Sequence, residues 1–208
     1  MLEPAILYKD ELEKKFAKEM YTERYYYYVG YPHEFELPDI RVKEYYYQWA
    51  IVEMVGEEVF GYQEKLVGYL AYHVDPSTDN VDRFGLYSFA EGNQTVIKDT
   101  YEKLEELVRD HHRVEWRVID GNHAKRGYDA FCKKHNGNIV CLHDVTKDLK
   151  GNYRNEYIYE IVKEVDSKYL DIVQKQNRCQ NCDHVGVMRD SDGYIIGTDC
   201  DVEKCIYD

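Results

Sequence analysis

The sequence predicts a mixed α/β (α+β) fold, a β-sheet with helices on its faces, followed by a small C-terminal module. Residues 113–137 first alternate apolar and polar side chains, as a strand does, and then turn through Gly121-Asn122 into a short amphipathic helix. Helical and strand-like patterns also alternate along the rest of the first 165 residues. Paired cysteines near the C-terminus suggest that the last thirty or so residues form a separate unit.

The first elements follow from periodicity and from chain-breaking residues. An amphipathic helix is predicted over residues 8–28, where apolar side chains fall three, four or seven positions apart, and Gly30 and Pro32 end it. A segment rich in β-formers predicts a strand over 45–55. Later elements are predicted as a short hairpin arm over 59–63, strands over 65–74 and 83–89, a helix over 97–110, the strand and helix of 113–137, and closing strands over 138–143 and 153–165.

Composition limits the classes of function. The chain has 208 residues, of which 44% are hydrophobic and 22 are tyrosines, so one well-packed domain with a small appendage is expected. Its 40 acidic residues exceed its 27 Lys and Arg residues, giving a net charge of −13 that would repel a phosphate backbone. Nucleic acid is therefore not an expected partner. A membrane partner is not expected either, because no run approaches the roughly 20 apolar residues of a membrane span.

The N-terminal segment has acidic residues early and lacks an uninterrupted apolar stretch, so it is not expected to be a signal peptide. The sequence therefore predicts a soluble, cytoplasmic protein. In that compartment the six cysteines are interpreted as thiols or metal ligands before disulfides.

Three residues of segment 113–137 carry a family resemblance. Asn122 follows the predicted strand, Ala124 begins the helix, and Tyr128 lies four residues further on. This pattern resembles the end of the GNAT N-acetyltransferase domain, and the order of elements is similar over residues 1–165, apart from an unrecognised first strand. The resemblance implies a mostly antiparallel sheet flanked by helices, and acetyl-CoA as cofactor.

The resemblance also implies where the cofactor would lie. In the family two adjacent parallel strands splay apart, and their free backbone groups bind the pantetheine arm. That places the splay between 83–89 and 114–119, with the thioester nearest residues 87–90, which include Ser88, Phe89 and Ala90. The pyrophosphate would lie at the following helix start, at Gly92, Asn93, Gln94 and Thr95. Asn122 matches a family side chain that contacts the cofactor. The turn has one glycine and the acidic Glu91 where relatives often have spaced small residues, and an ordinary helix-capping loop explains it equally well.

Tyr128 is predicted to be the general acid. A phenol with a pKa of about 10 is a suitable proton donor to a thiolate, and the matched family position has that role. The alternative is that Tyr128 is one of many core tyrosines, and Asn122 is explained equally well as a helix N-cap. No general base is identified: Glu53, Asp75, Glu91, Glu115 or a chain of waters would serve.

Two runs of tyrosine fall near the region that shapes the acceptor groove in the family. Residues 25–28 and 45–47 are all tyrosines. They could line an aromatic slot for an amine stem, although ordinary core packing is the commoner use of such residues.

The strongest local motif is C-terminal. Cys179 and Cys182 are separated by two residues, Cys200 and Cys205 by four, and a hairpin with an Asp-Gly turn is predicted between the pairs. Four thiolates suit the tetrahedral preference of Zn²⁺, so a structural zinc-ribbon-like module is predicted over 179–208, joined by a linker over 166–178. His184 is a spare ligand.

The resemblance thus implies an acetyl-CoA-dependent N-acetyltransferase that acts on a primary amine: a lysine on a protein, a polyamine or another small amine. The acidic surface would suit a basic acceptor. The alternative is a GNAT-like protein without catalytic activity that binds other proteins through its zinc-ribbon tail. The degenerate phosphate turn and the unidentified base favour that alternative.

Overall fold

The computed structural model describes residues 1–29, 37–57 and 61–163, together with the backbone of 188–189 and 195–197. The chain divides into two compact units, Met1–Lys163 and Glu164–Asp208. The strands of the first unit are β1 (Leu2–Pro4), β2 (Tyr46–Glu57), β3 (Gly61–Asp75), β4 (Asn80–Ser88), β5 (Arg113–Ile119), β6 (Asn138–Lys147) and β7 (Tyr153–Val162). Its α-helices are α1 (Lys9–Glu19), α2 (Glu23–Val29), α3 (Gln94–Asp110) and α4 (Lys125–Lys134).

The strands of the first unit form one seven-stranded sheet in the order β1-β2-β3-β4-β5-β7-β6. Neighbouring strands are antiparallel except β4 and β5, which are parallel. The parallel pair needs a crossover, and α3 supplies it. The fold is therefore a mixed α/β fold with a mostly antiparallel sheet, as the sequence predicts.

One face of the sheet packs against α3 and α4. Both helices are amphipathic, and their apolar stripes include Leu104 of α3 and Phe131 of α4. On the strands, Trp116 is 1% exposed and stacks on Tyr159 with ring centroids 5.2 Å apart. Alternate residues of a strand lie on opposite faces, so the residues between these point away from α3 and α4.

The opposite face packs against α1 and α2. Phe16 of α1 is fully buried and contacts the rings of Tyr25, Tyr69 and Tyr87. The sequence predicts one helix over 8–28, but the structure has two. The chain turns at Thr22, whose hydroxyl oxygen accepts a hydrogen bond from the backbone N–H of Tyr25 at 3.3 Å, which is how a threonine begins a new helix.

Two strands differ from the sequence prediction. The unrecognised first strand is β1, whose three residues pair with Trp49–Ile51 of β2 and are too few to show a period. The arm predicted over 59–63 and the strand predicted over 65–74 are parts of a single strand, β3, as far as the described residues show. β3 is longer because it pairs with β2 from Gly61 to His73.

In the second unit, two short strands form an antiparallel pair. These are β8 (Met188–Arg189) and β9 (Ile195–Gly197), within the segment where the sequence predicts a hairpin. The helices of the described residues all fall short of the length and apolar character needed to cross a bilayer.

Candidate active site

The site is built where the two parallel strands separate. β4 and β5 pair through Asn80–Arg113, Val81–Val114 and Phe84–Trp116, and no pair follows. Both strands continue: β4 stays paired with β3 as far as Ser88, and β5 with β7 as far as Ile119. Beyond Phe84 and Trp116, therefore, each strand keeps its outer partner and turns unpaired backbone groups towards the gap.

A cavity of about 1090 Å³ occupies this gap and reaches both faces of the sheet. Trp116 and Tyr128 line it from the side of α3 and α4, and Tyr28 and Arg117 line it from the side of α1 and α2. A cavity that passes through an opening in a sheet can admit two reactants from opposite sides. Its lining residues come from α2 (Arg24, Tyr27, Tyr28), β4 and its turn (Asp82–Ser88, Glu91–Asn93), α3 (Val96, Ile97), β5 and its turn (Glu115–Ile119, Asn122–Ala124), α4 (Tyr128) and β7 (Glu156).

The turn from β4 into α3 forms one end of the cavity. Gly92 has a φ of +63°, which favours glycine, and a Cβ there would meet no atom within 4 Å. Asn93 caps α3, because its side-chain oxygen accepts a hydrogen bond from the N–H of Val96 at 3.0 Å. The turn thus presents open space and the positive end of a 17-residue helix.

A carboxylate from β2 holds the same turn. Glu53 accepts hydrogen bonds from the Nδ2 of Asn93 at 3.2 Å and from the hydroxyl of Thr95 at 3.1 Å. These contacts fix the turn to the sheet. They also place a negative charge at the helix start, where it competes with a bound anion.

Only some of the predicted cofactor residues line the cavity. Ser88, Gly92, Asn93 and Asn122 line the cavity. Phe89 instead packs with Phe16 in the core beneath α1, with ring centroids 5.1 Å apart. Ala90, Gln94 and Thr95 belong to the same turn but are not lining residues.

Tyr128 lies in the first turn of α4 and lines the cavity from the side of α3 and α4. Only 5% of the residue is exposed, and its ring packs against Trp116 at 5.8 Å and Tyr101 at 6.2 Å. Burial raises the pKa of Tyr128 above its ordinary value. Its hydroxyl forms no hydrogen bond with any residue in the described part of the chain, so the proton of this phenol is not engaged there.

Asn122 does not act as the N-cap of α4. The helix begins at Lys125 with Ala124 as its cap residue, and Asn122 lies two positions earlier. Its side-chain oxygen accepts a hydrogen bond from the N–H of Ala124 at 2.9 Å, which closes a local turn. The short connection between β5 and α4 leaves room for this turn before the helix starts.

The four candidate bases are separated by the fold. Glu91 and Glu115 line the cavity. Glu53 is engaged by the α3 turn, as described above. Asp75 is the last residue of β3, where it accepts hydrogen bonds from Ser77 and Thr78 that lower its pKa. Sequence reasoning missed a further carboxylate in the cavity, Glu156 of β7, because only the pairing of β7 with β5 brings it there.

The tyrosines of the two runs have different environments, and only some of them line the cavity. Tyr27 and Tyr28 of α2 line the cavity, and the ring of Tyr28 packs against Gly85 of β4, where a Cβ would lie 3.2 Å from it. Tyr25 and Tyr26 are buried, at 1% and 2% exposure. The tyrosines at 45–47 do not line this cavity.

The predicted metal ligands Cys179, Cys182, Cys200 and Cys205 lie outside the described residues, as does the spare ligand His184. Within the described residues, no cluster of three or more His, Cys, Asp or Glu side chains could hold a metal ion.

Solved structures show what this fold is similar to. An N-acetyltransferase from Staphylococcus aureus Mu50 superposes with a TM-score of 0.52 at 10% sequence identity, covering 78% of this chain and 97% of that one. The two proteins therefore share a fold. No family model matches the sequence, and no curated protein matches it.

Two further structures have lower scores. A probable acetyltransferase of the GNAT family from Chromobacterium violaceum ATCC 12472 has a TM-score of 0.49 and 12% identity, covering 78% of this chain and 85% of that one. A ribosomal-protein-alanine N-acetyltransferase from Brucella melitensis has a TM-score of 0.47 and 14% identity, covering 78% of this chain and 99% of that one.

Proposed function

We propose that this protein transfers the acetyl group of acetyl-CoA to a primary amine. The observation that carries the proposal is the cavity that passes through the sheet where Phe84 and Trp116 form the last parallel pair. Because the cavity reaches both faces, a cofactor arm could enter beside α3 and α4 while an amine approaches from the side of α1 and α2. The shared fold is consistent with this chemistry but leaves the substrates undefined.

The residues around the gap suit the cofactor's arm. The unpaired backbone groups of Gly85–Ser88 could pair with the amides of a pantetheine chain as a further strand would. At the end of β4, backbone N–H groups at the start of α3 and the open space at Gly92 would receive the pyrophosphate. When bound, acetyl-CoA supplies the acetyl group as an activated thioester.

Tyr128 is proposed as the general acid. In acetyl transfer the amine nitrogen forms a C–N bond to the acetyl carbon as the C–S bond breaks, and the thiolate requires a proton. The Tyr128 hydroxyl can donate it because burial keeps the phenol protonated and no described residue engages it. The proton that the amine loses passes to a carboxylate of the cavity, of which Glu91, Glu115 and Glu156 are the described candidates.

Calorimetric titration of the full chain with acetyl-CoA and with CoA tests the proposal. We expect binding in the micromolar range, followed by acetylation when amines are supplied. If millimolar acetyl-CoA does not bind and no amine is acetylated, the transferase proposal is wrong.

One observation favours a second candidate, a GNAT-fold protein that binds partners without catalysis. The phosphate turn contains Glu91 and is held by Glu53, so two carboxylates lie where an anion would bind. If the chain binds neither acetyl-CoA nor CoA but captures partners through its C-terminal tail, this second function is supported.

The zinc-ribbon-like tail over 179–208 is proposed from the spacing of its cysteines alone. Elemental analysis of the purified full chain should give one zinc per chain. The Cys179→Ser and Cys200→Ser variants should lose it, because three thiolates bind zinc less tightly than four. Full zinc content in both variants would contradict the proposed ligand set.

A further inference from the structure

Two arginines stand next to the last parallel pair. Arg83 directly precedes Phe84 on β4, and Arg117 directly follows Trp116 on β5. Both line the cavity. Arg117 alternates with buried Trp116 and Val118, so it lies on the face of α1 and α2.

Arg83 is turned to the same face by an irregularity in its strand. Its φ is +53°, and the pairing of β4 with both neighbours shifts at this point. Val81 and Phe84, on either side of the irregularity, both pack in the core with α3 and α4, so Arg83 between them lies on the opposite face. A left-handed backbone is unfavourable for an arginine, so the surrounding fold maintains this placement.

Neither arginine has a strong partner. The Arg83 side chain is 73% exposed, and its nearest carboxylate, on Asp82, is 4.0 Å away and also contacts His73 at 2.9 Å. The Arg117 side chain is 55% exposed and lies 3.5 Å from Glu115 and 3.8 Å from Glu156. Both guanidinium groups therefore retain free donors at the cavity.

The third arginine of the cavity shows the contrast. Arg24 binds both carboxylate oxygens of Glu19, each at 2.8 Å, and Glu19 also accepts a hydrogen bond from Tyr87 at 3.0 Å. Arg24 thus has a structural partner that fixes α2 to β4. Arg83 and Arg117 have no such partner within the described residues.

One of the two carboxylates beside Arg117 has few contacts. The Glu156 side chain is 19% exposed, and its only described partner is Arg117 at 3.8 Å. Glu115, by contrast, accepts a hydrogen bond from Arg113 at 2.5 Å. Of the two carboxylates beside Arg117, Glu156 is therefore the one that remains available to a cation.

We infer that the acceptor is a small amine with its own carboxylate, such as a free amino acid. Arg83 and Arg117 bind the carboxylate, as guanidinium groups do in a bidentate manner, while Glu156 receives the ammonium group and then its proton. This inference rests on the proposed function and names its acceptor. The net charge of −13 instead led to the expectation of a basic acceptor. Exposed charges are screened over about 8 Å at physiological salt, so the charges next to the acceptor decide its recognition.

The test compares acids with their amides. The full chain is incubated with acetyl-CoA and either a mixture of the common L-amino acids or the matching L-amino acid amides, and products are measured by mass spectrometry. We expect acetylated acids, with the amides acetylated at least about tenfold more slowly, since a lost charged hydrogen bond costs about 1.5–3 kcal/mol. Equal rates for acids and amides would overturn the inference and leave the proposed function intact.

Arginine variants test which residues cause the preference for acids over amides. Arg117→Gln and Arg83→Gln should each raise the KM for the amino acid about tenfold or more without changing the KM for acetyl-CoA. The matched control is Arg109→Gln, whose side chain is 70% exposed at the far end of α3 and pairs with Asp110. We expect no change in that control. If Arg117→Gln raises the KM for amino acids and for their amides equally, the arginine does not bind a carboxylate.

A binding measurement without cofactor separates the two proposals. Saturation-transfer NMR of the full chain with the amino acid mixture should detect binding that is lost in Arg117→Gln. Binding of this kind in a protein that does not bind acetyl-CoA would support the acceptor site and contradict the transferase. Absence of amino acid binding here and of acetylation in the mixture would overturn the inference.

Discussion

Phe84 of β4 and Trp116 of β5 form the last parallel pair in the sheet, and the two strands separate beyond them. Trp116 is stacked on Tyr159 of β7, while β4 remains paired with β3 to its end. Each strand is thus held by its outer neighbour, and the gap between them is a fixed part of the fold.

Tyr128→Phe should lower kcat by about 10²-fold or more, because it removes the proposed proton donor. The KM for acetyl-CoA should not change, since the ring stays in place. Burial raises the pKa of Tyr128 above its usual value near 10, so the phenol stays protonated as the pH rises, and it should cause no loss of activity below about pH 10. Steady-state kinetics across this range check both points.

The control for that variant is Tyr101→Phe. Tyr101 packs 6.2 Å from Tyr128 but does not line the cavity. Its turnover should match that of the unmodified protein. Full activity in Tyr128→Phe, with folding intact, would exclude this residue as the acid.

Gly92→Val should weaken acetyl-CoA binding about tenfold or more, because a side chain would occupy the space proposed for the pyrophosphate. Gly151→Val is the matched control. Gly151 has a φ of +83°, a Cβ there would also meet no atom within 4 Å, and the residue lies between β6 and β7. Both substitutions should cost about 1–3 kcal/mol of stability through backbone strain. Calorimetry should show lost affinity only in Gly92→Val, and equal losses would refute this position for the pyrophosphate.

Glu53→Gln should strengthen acetyl-CoA binding by about two- to fivefold. Glutamine can keep the contacts to Asn93 and Thr95 while removing a negative charge from the start of α3, which is worth about 0.3–1 kcal/mol. S-acetylpantetheine lacks the pyrophosphate, so its KM should stay the same. If the KM values for acetyl-CoA and S-acetylpantetheine change equally, Glu53 affects the fold and not the binding of the pyrophosphate.

Gly127→Ala should destabilise the protein, although the same change in an exposed helix gains about 1 kcal/mol. A Cβ at this position of α4 would overlap the hydroxyl oxygen of Tyr101, whose ring is held between Tyr128 and Phe131. The expected cost is about 1–3 kcal/mol in urea unfolding.

A double-mutant cycle tests the cause. In a Tyr101→Phe background the oxygen is absent and the nearest ring carbon is 3.2 Å from the Cβ, so most of the cost should disappear. An unchanged cost would mean that the strain arises elsewhere in α4.

The sequence predicted α3, β5 and α4 because each has a clear period of its own. It also predicted the gap, through the resemblance carried by Asn122, Ala124 and Tyr128. It missed β1, which is three residues long, and the break in the first helix at Thr22. β1 is defined by its pairing with β2, and the break at Thr22 by a side-chain hydrogen bond, and periodicity records neither.

Some residues of the candidate site could be chosen from the sequence, and others could not. Glu91 and Glu115 could be chosen from the sequence because they lie near the predicted strands, yet nothing local separates them from Glu53 or Asp75. Glu156 has no local signal at all: it lies 41 residues after Glu115, and its neighbours are ordinary strand residues. Only the order β5-β7-β6 brings it to the cavity.

By itself, the sequence determined the order of helices and strands from β2 to β7, because periodicity is a local property of the chain. The short motif of Asn122, Ala124 and Tyr128 made Tyr128 a candidate acid through its family resemblance. The tertiary structure alone decided which charges face the cavity. The pairing of strands distant in sequence placed Arg83, Arg117 and Glu156 around one opening, while Arg24 and Glu53 received partners of their own. Net charge is a sum over the whole chain, whereas recognition depends on the few groups within a screening length of the ligand.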